Sequence, residues 1–111
     1  MQLNELKKFI VHNLEDLKAI DIVVLDVRSL TSITDLMVIC TGNSSRHVKS
    51  IANNLAEKAK SHGLRPLSIS GEEDAEWVLL DLGDVIVHVM QFKTRELYQL
   101  EQLWNTKELA S

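Results

Sequence analysis

Hydrophobic residues near the start of the chain recur every three or four positions. This spacing places them on one side of an amphipathic helix, which we predict over residues 2–18. The charged residues of the segment fall off the stripe, as expected for a helix with one solvent-facing side. The stripe consists of Leu3, Leu6, Ile10, Leu14 and Leu17.

Two short apolar segments then predict two strands. Residues 22–27 are rich in β-branched side chains, which favour strands. Residues 36–41 are apolar at nearly every position, as in a central strand that is buried on both faces. The polar residues 28–35 form the connection between the two strands.

A second helix is predicted after Gly42 and Asn43. Ser44 or Ser45 can cap it, because a serine hydroxyl accepts a hydrogen bond from the free amides of the first turn. Gly63 is suited to the left-handed conformation in which many helices end. The buried stripe of this helix contains Val48, Ile51, Ala52, Leu55 and Ala59.

The last third of the chain predicts three strands and a helix. Residues 67–69 are a short strand candidate, and residues 77–90 predict a hairpin whose two-residue turn is Gly83-Asp84. Thr94 is a candidate cap for the last helix. We expect the apolar side of that helix to contain Leu97, Leu100, Leu103 and Trp104, with Trp104 as a core anchor.

This order of elements predicts the fold class. Helices alternate with strands that are joined partly by hairpins and partly by a helical crossover. We therefore expect one α/β domain over residues 1–111, with a mixed, roughly five-stranded sheet and packed helices.

The predicted hairpin has two chemically different faces. The aliphatic face consists of Val78, Leu80, Leu82, Val85, Val87 and Val89, and it suits the core beneath the helices. The mixed face consists of Trp77, Leu79, Asp81, Ile86, His88 and Met90. Trp and Met are frequent at binding surfaces, so we expect the mixed face to be exposed and to bind a partner. The alternative is that a helix covers this face, with Asp81 and His88 at its edge.

The composition narrows the function classes. The chain has 111 residues, of which 45% are hydrophobic and 25% charged, as in globular domains rather than disordered or fibrous chains. No apolar run approaches the roughly 18 residues of a membrane span, so we expect no membrane partner. The one cysteine, Cys40, fits a reducing compartment, and we expect a cytoplasmic protein.

The charges are unevenly distributed. The net charge of −4 argues against tight direct binding of nucleic acid. Residues 46–65 carry five positive charges and one negative charge, whereas residues 71–84 carry six acidic residues and no basic one. Two explanations remain open: two solvated surfaces of opposite sign, or an acidic face that meets a basic protein partner.

The residues that could support catalysis or metal binding do not form a recognisable site. Residues 42–47 join a strand to a helix and could hold a phosphate, but they lack the spacing of a known phosphate-binding loop, and capping is favoured. Asp21 and Asp26 are predicted to project to opposite faces of a strand, unlike a metal-binding carboxylate pair. Cys40 lies in the most apolar strand. The histidines lie in four different elements. We expect no metal, no cofactor and no enzymatic activity.

Three segments of the sequence together resemble a known family. TDLMVICTGNSSRHVKSIA, EWVLLDLGDVIVHVM and RELYQLEQLW are similar to the bacterial ribosomal silencing factors of the Iojap-like family, and the resemblance covers essentially the whole chain. It implies a small α/β domain with nucleotidyltransferase-like topology but without that catalysis. The loop before the hairpin departs from the family pattern, which often has an acidic residue where this chain has Ser70, before Gly71.

The resemblance also implies a partner and a mechanism. The implied partner is the large ribosomal subunit, bound through its ribosomal protein number fourteen at the subunit-joining surface. Such binding would prevent the small subunit from docking and lower translation in slow growth or starvation. The residues themselves, rather than the resemblance, suggest the binding surface: Arg95 and Tyr98 open the last helix just after the hairpin and could extend its mixed face. The expected partner-binding residues are Trp77, Leu79, Asp81, His88, Met90, Arg95 and Tyr98.

Alternatives to this function remain. An assembly factor of the large subunit could dock on the same surface, and a minimal nucleotidyltransferase-type enzyme belongs to a different functional class. If the mixed face is exposed, a homodimer of the free protein through that face is also expected.

Overall fold

The structure, a computed structural model, describes residues 1–104 and 108–109. The predicted domain extends to residue 111, so part of its C-terminal end lies outside the described residues. The elements are α1 (Leu3–Asp16), β1 (Ile20–Asp26), β2 (Leu36–Gly42), α2 (Ser45–Ser61), β3 (Ser68–Ser70), β4 (Trp77–Asp81), β5 (Val85–Gln91), α3 (Phe92–Tyr98), α4 (Leu100–Trp104) and β6 (Glu108–Leu109).

The strands form one mixed sheet. Their order is β3-β4-β5-β2-β1-β6, in which β2 and β5 are parallel and the other pairs are antiparallel. The predicted α/β class and mixed sheet are therefore confirmed, while the two-residue strand β6 was not predicted. Every residue of β2 is buried, as expected for the central strand.

The hairpin of β4 and β5 has the predicted register. Trp77 lies opposite Met90, and Leu79 lies opposite His88. The two-residue turn at Gly83 is closed by a 2.9 Å hydrogen bond from the Leu82 amide to the Val85 carbonyl. Because side chains alternate along a strand, this register separates the aliphatic face from the mixed face.

Helices α1 and α2 cover the aliphatic face. The buried side chains of both helices share one cluster with the inward-facing residues of β2, β4 and β5. Ser44 caps α2, since its hydroxyl accepts a 3.1 Å hydrogen bond from the His47 amide. The capping interpretation of residues 42–47 is confirmed. The predicted stripe of α2 is buried in full.

The C-terminal helix differs from the prediction. It begins at Phe92 after the N-cap Gln91, so Thr94 lies inside the helix and does not cap it. Gln99 then adopts a left-handed conformation, with φ 46° and ψ 57°, and separates α3 from α4. This break redirects the chain, so the expected apolar side does not form: Leu100 is buried and Trp104 half-buried, but Leu97 and Leu103 are exposed.

A second, smaller core lies on the mixed side of the sheet. Leu100 of α4 packs there, and Trp104 contacts the same cluster, as expected for an anchor. The expectation that the mixed face is exposed is therefore wrong at the end that α4 covers. The buried members of this cluster are Leu25, Val27, Met37, Ile39, Met90 and Leu100.

Candidate protein-binding surface

The part of the mixed face that α4 leaves open forms a continuous candidate surface, which we call the hairpin surface. It consists of Trp77, Leu79, Asp81, Ile86 and Tyr98. The four hairpin residues are half-buried, and Tyr98 is 55% exposed. The centroids of the Trp77 and Tyr98 rings are 4.9 Å apart and the rings are tilted by 49°. The structure thus brings Tyr98 of α3 beside the hairpin, as predicted.

The indole of Trp77 contacts the buried imidazole of His88 on the same face of the hairpin. Its Nε1 donates a 2.9 Å hydrogen bond to Nδ1 of His88, and the two ring centroids are 5.8 Å apart. Because Nδ1 accepts this bond, the neutral imidazole carries its proton on Nε2. Trp77 is therefore fixed in orientation while part of its ring remains accessible.

His88 itself is buried rather than exposed. Burial lowers its pKa to about 4, because the protein interior disfavours the charged imidazolium. Among the described residues, no group forms a hydrogen bond with Nε2. The expectation of an exposed His88 is wrong: its neighbours in the register, Ile39 and Leu79, enclose it on both sides. His88 supports the hairpin surface from beneath.

Met90 is also buried and not part of the accessible surface. Its side chain is fully enclosed in the smaller core, which includes Ile39 and Leu100. The sequence pattern placed Met90 on the correct face of the hairpin, but α4 covers that end of the face. Met90 therefore supports Trp77, its partner in the register, from the core.

Arg95 does not extend the hairpin surface as expected. Its Nη1 donates hydrogen bonds to the Asp21 carbonyl at 2.7 Å and to the Thr41 hydroxyl at 2.9 Å. Its Nε lies 3.4 Å from a carboxylate oxygen of Glu101, and the side chain is only 12% exposed. These contacts connect α3 and α4 to the ends of β1 and β2. The guanidinium is therefore engaged within the domain rather than presented to a partner.

Asp81 lies at the turn end of the hairpin surface. Its Oδ1 accepts a 2.8 Å hydrogen bond from the Gly83 amide, which stabilises the tight turn. The carboxylate is only half-buried, and its second oxygen can accept from a partner. Asp81 and Leu79 both lie where the sequence analysis placed them.

Residues 71–76, which join β3 to β4 and which we call the acidic loop, border the Trp77 end of the surface. Glu73, Asp74 and Glu76 are exposed. The loop is attached to β5 by Gln91, whose side chain donates a 3.0 Å hydrogen bond to the Ala75 carbonyl and whose amide donates a 2.9 Å bond to the Glu76 carbonyl. The backbone that carries these negative charges is therefore held next to β5, at the Trp77 end of the hairpin.

Other candidate chemistry is occupied by structural contacts. Arg28 forms an ion pair with Asp26, and its hydrogen bonds lower the pKa of that carboxyl to about 2. Burial raises the pKa of the Cys40 thiol to about 12, so the thiol stays protonated at neutral pH. Within residues 1–104 and 108–109, no three His, Cys, Asp or Glu side chains form a group that could hold a metal ion.

Comparison with known proteins gives the family. A family model described as "Ribosomal silencing factor during starvation" matches residues 1–111. The chain belongs to the ribosomal silencing factor family. A member from Haemophilus influenzae, named Ribosomal silencing factor RsfS, is 48% identical over 99 residues, which is 89% of this chain and 97% of that protein.

Solved structures support the silencing factor fold. A crystal structure of a protein from Chromobacterium violaceum has a TM-score of 0.93 and 41% identity, and the match covers 99% of this chain and 92% of that one. A crystal structure of a protein from Bacillus halodurans has a TM-score of 0.85 and 40% identity, over 96% of this chain and 99% of that one.

A more distant silencing factor relative carries a different name. It is the mouse protein named Mitochondrial assembly of ribosomal large subunit protein 1, which is 33% identical over 90 residues. The match covers 78% of this chain but 40% of the mouse protein. The names of the bacterial and mouse relatives describe ribosomal regulation and assembly rather than a chemical reaction. Within the described part of this chain, no helix is long and apolar enough to cross a membrane.

Proposed function

We propose that the protein represses translation in the cytoplasm by binding the large ribosomal subunit and excluding the small one. The proposed contact is the hairpin surface, and the proposed partner is ribosomal protein number fourteen of the large subunit. The observation that carries the proposal is the contact of the half-buried Trp77 with the exposed Tyr98 beside an acidic loop, in a chain of the ribosomal silencing factor family.

The Trp77–Tyr98 pair has the properties of a binding hot spot. Large aromatic side chains near the centre of an interface often contribute most of its binding energy. The hydrogen bond to His88 fixes Trp77 before the partner arrives. A side chain that is already ordered loses less conformational entropy on binding, so more of the contact energy contributes to affinity.

The charge of the surface favours a basic protein partner. The acidic loop and Asp81 place negative charge at the two ends of the hairpin surface. Ribosomal proteins are generally basic, and opposite potentials accelerate association and orient the partners. The net charge of −4 makes the phosphate backbone of RNA an unfavourable main partner for this side of the molecule.

Exclusion of the small subunit needs no chemical step. If the protein occupies the subunit-joining surface, its volume overlaps the position of the small subunit. Repression then depends on how tightly and how long the protein remains bound. No catalytic group, metal or cofactor takes part in this mechanism.

Assembly of the large subunit is the second candidate function. It is favoured by the name of the mouse relative, which describes ribosomal large-subunit assembly. The same surface could serve both roles. Removing the protein from cells and measuring immature large subunits on sucrose gradients separates them, because a purely silencing role leaves the amount of precursor particles unchanged.

We test the main proposal by co-sedimentation of the full chain with separated ribosomal subunits. The expected result is migration with the large subunit only, and inhibition of subunit joining. Tyr98→Ala should weaken large-subunit binding at least about thirtyfold, since a hot-spot truncation costs roughly 2 kcal/mol or more. Leu67→Ala is the control: Leu67 is 71% exposed, and it precedes β3 on the aliphatic side. Unchanged binding by Tyr98→Ala would contradict the proposal.

We also propose that the free protein self-associates through the same surface. Three further apolar side chains of α3 and α4 are exposed, namely Phe92 at 52%, Leu97 at 76% and Leu103 at 73%. Large exposed apolar patches are usually covered by a partner. Sedimentation velocity should therefore detect a dimer that Tyr98→Ala weakens and that large subunits compete away. A protein that stays monomeric at all concentrations would contradict the proposed dimer.

A further inference from the structure

The solvent-facing side of α2 carries a second charged surface, opposite in sign to the acidic loop. We call it the basic helix face. All of its cationic side chains are exposed, and the only acidic residue between residues 46 and 65 is Glu57, which lies 3.5 Å from Lys60. The cations are Arg46, Lys49, Lys58 and Lys60 of α2, together with Arg65, which follows the end of the helix. The rest of the chain contains seven basic and fifteen acidic residues, so the positive charge is concentrated here.

Two shallow depressions lie at the two ends of the basic helix face. The first has a volume of about 570 Å³ and the second about 540 Å³. Among the described residues, none that lines either depression is acidic. Lys49 and Lys60 belong to different depressions and lie about 16 Å apart along the helix axis, at 1.5 Å per residue. The first is lined by Ser45, Arg46, Lys49, Ser50 and Asn53, and the second by Lys60, Gly63 and Arg65.

The basic helix face and the hairpin surface lie on opposite sides of the sheet. The buried stripe of α2 packs on the aliphatic face, whereas the hairpin surface belongs to the mixed face. One flat partner cannot cover both surfaces. A partner of the basic helix face would therefore have to be a different component from the one that the hairpin surface binds.

We propose that the basic helix face binds the phosphate backbone of ribosomal RNA on the large subunit. The proposal rests on the proposed function, which brings the protein to that subunit. Lys, Arg, Ser and Asn side chains are typical donors to phosphate oxygens. The exposed side of α2 has no aromatic or large aliphatic side chain, as a protein-binding hot spot would require. A strand of nucleic acid presents several phosphates over the distance between the two depressions.

The contact between the basic helix face and RNA is weak by itself. It becomes effective when the hairpin surface already holds the protein on the large subunit. With a net charge of −4, the free domain has little affinity for RNA at physiological salt. Once the hairpin surface is bound, the RNA contact becomes intramolecular and operates at a high effective concentration. The basic helix face then prolongs binding without directing the protein to free RNA.

The salt dependence of large-subunit binding tests the proposal. Each lysine–phosphate contact contributes about one to the slope of log affinity against log salt concentration. Lys49→Gln and Lys60→Gln should each reduce the steepness of that slope by about one. Lys8→Gln is the matched control, because it removes one exposed positive charge from a helix outside this face. It should leave the slope unchanged.

A short RNA duplex of mixed sequence, measured at low salt, identifies the partner. We expect weak binding by the wild type and weaker binding by Lys49→Gln and Lys60→Gln. Equal slopes for these variants and the Lys8→Gln control would overturn the proposal. Reduced slopes without any binding to the duplex would also overturn it, in favour of an acidic protein partner. A wild type that binds no large subunit would instead contradict the proposed function.

Discussion

Trp77 donates its indole N–H to Nδ1 of His88 across 2.9 Å, and this bond joins the hairpin surface to the buried part of the mixed face. Trp77 is half-buried, whereas His88 is buried and neutral. The accessible ring is therefore oriented by a residue that the partner does not need to touch. Changes to His88 should affect both the stability of the domain and its affinity for the ribosome.

The neutral state of His88 makes stability depend on pH. Burial lowers its pKa from 6.5 to about 4 in the folded protein, so between these values the unfolded chain binds more protons than the folded one. The folded state therefore has its full stability, as far as His88 is concerned, above pH 6.5, and it loses stability as the pH falls towards 4. We expect this loss to be on the order of 3 kcal/mol. Urea unfolding across this pH range measures it.

His88→Gln provides the control for this prediction. Its amide oxygen can still accept from Trp77 but does not titrate in this range. The variant should have a smaller change in unfolding free energy between pH 6.5 and 4 than the wild type. Identical pH profiles for the two proteins would contradict the role of His88.

Trp77→Ala and Tyr98→Ala should separate stability from binding. Trp77 packs against the smaller core, so its truncation should cost about 2–4 kcal/mol of unfolding free energy, near the range for buried aromatics. Tyr98 is mostly exposed, and its truncation should cost about 1 kcal/mol, the value of an aromatic pair. Thermal melting and large-subunit co-sedimentation, measured on both proteins, check this. A large loss of stability in Tyr98→Ala would argue for a structural role instead.

The acidic loop should control the rate of association. Changing Glu73→Gln together with Asp74→Asn removes two exposed negative charges beside Trp77. We expect a slower on-rate at low salt and little change in the off-rate, because exposed charges at the rim of an interface mainly steer encounter. Stopped-flow mixing with large subunits measures both. The paired control, Glu5→Gln with Glu15→Gln on α1, should not alter the on-rate.

Gly71 should be required for the position of the loop. Its φ is +86°, and an added Cβ would lie 2.1 Å from the Trp77 carbonyl oxygen. Gly63 has a similar φ of +78° but no atom within 4 Å of such a Cβ. Gly63→Ala should therefore cost only the backbone strain of roughly 1–2 kcal/mol. Gly71→Ala should cost clearly more and weaken ribosome binding. Equal melting temperatures for the two variants would disprove the steric argument.

The sequence predicts the features that depend on residues close together in the chain, such as turns, strand alternation and helix periodicity. The Gly83 turn and the alternation of side chains defined the hairpin register, and the spacing of apolar residues defined α1 and α2. The position of α4 and the residues that it buries depend instead on tertiary contacts. Gln99 has no strong preference for the left-handed conformation that redirects α4, so the burial of Met90 beneath this helix was not predictable.

The role of Arg95 was missed for the same reason. Its hydrogen-bond acceptors, Thr41 and Asp21, lie 54 and 74 residues away in the sequence. A basic residue in a helix that follows the hairpin could equally be exposed, and nothing local to it indicates otherwise. The sequence thus assigned the hairpin residues to the face on which the structure has them, but it could not distinguish accessible residues from buried ones.

The parallel pairing of β2 with β5 has a consequence for the synthesis of the protein. Seven residue pairs join residues 36–42 to residues 85–91, so the centre of the sheet closes only when both segments are available. Such long-range pairing slows folding, and chains emerge from the ribosome with their N-terminus first. A nascent chain therefore cannot present Trp77 on a finished sheet until β5 has been released. Binding through the hairpin surface, as proposed above, therefore has to wait until residue 91 has left the ribosome that makes the chain.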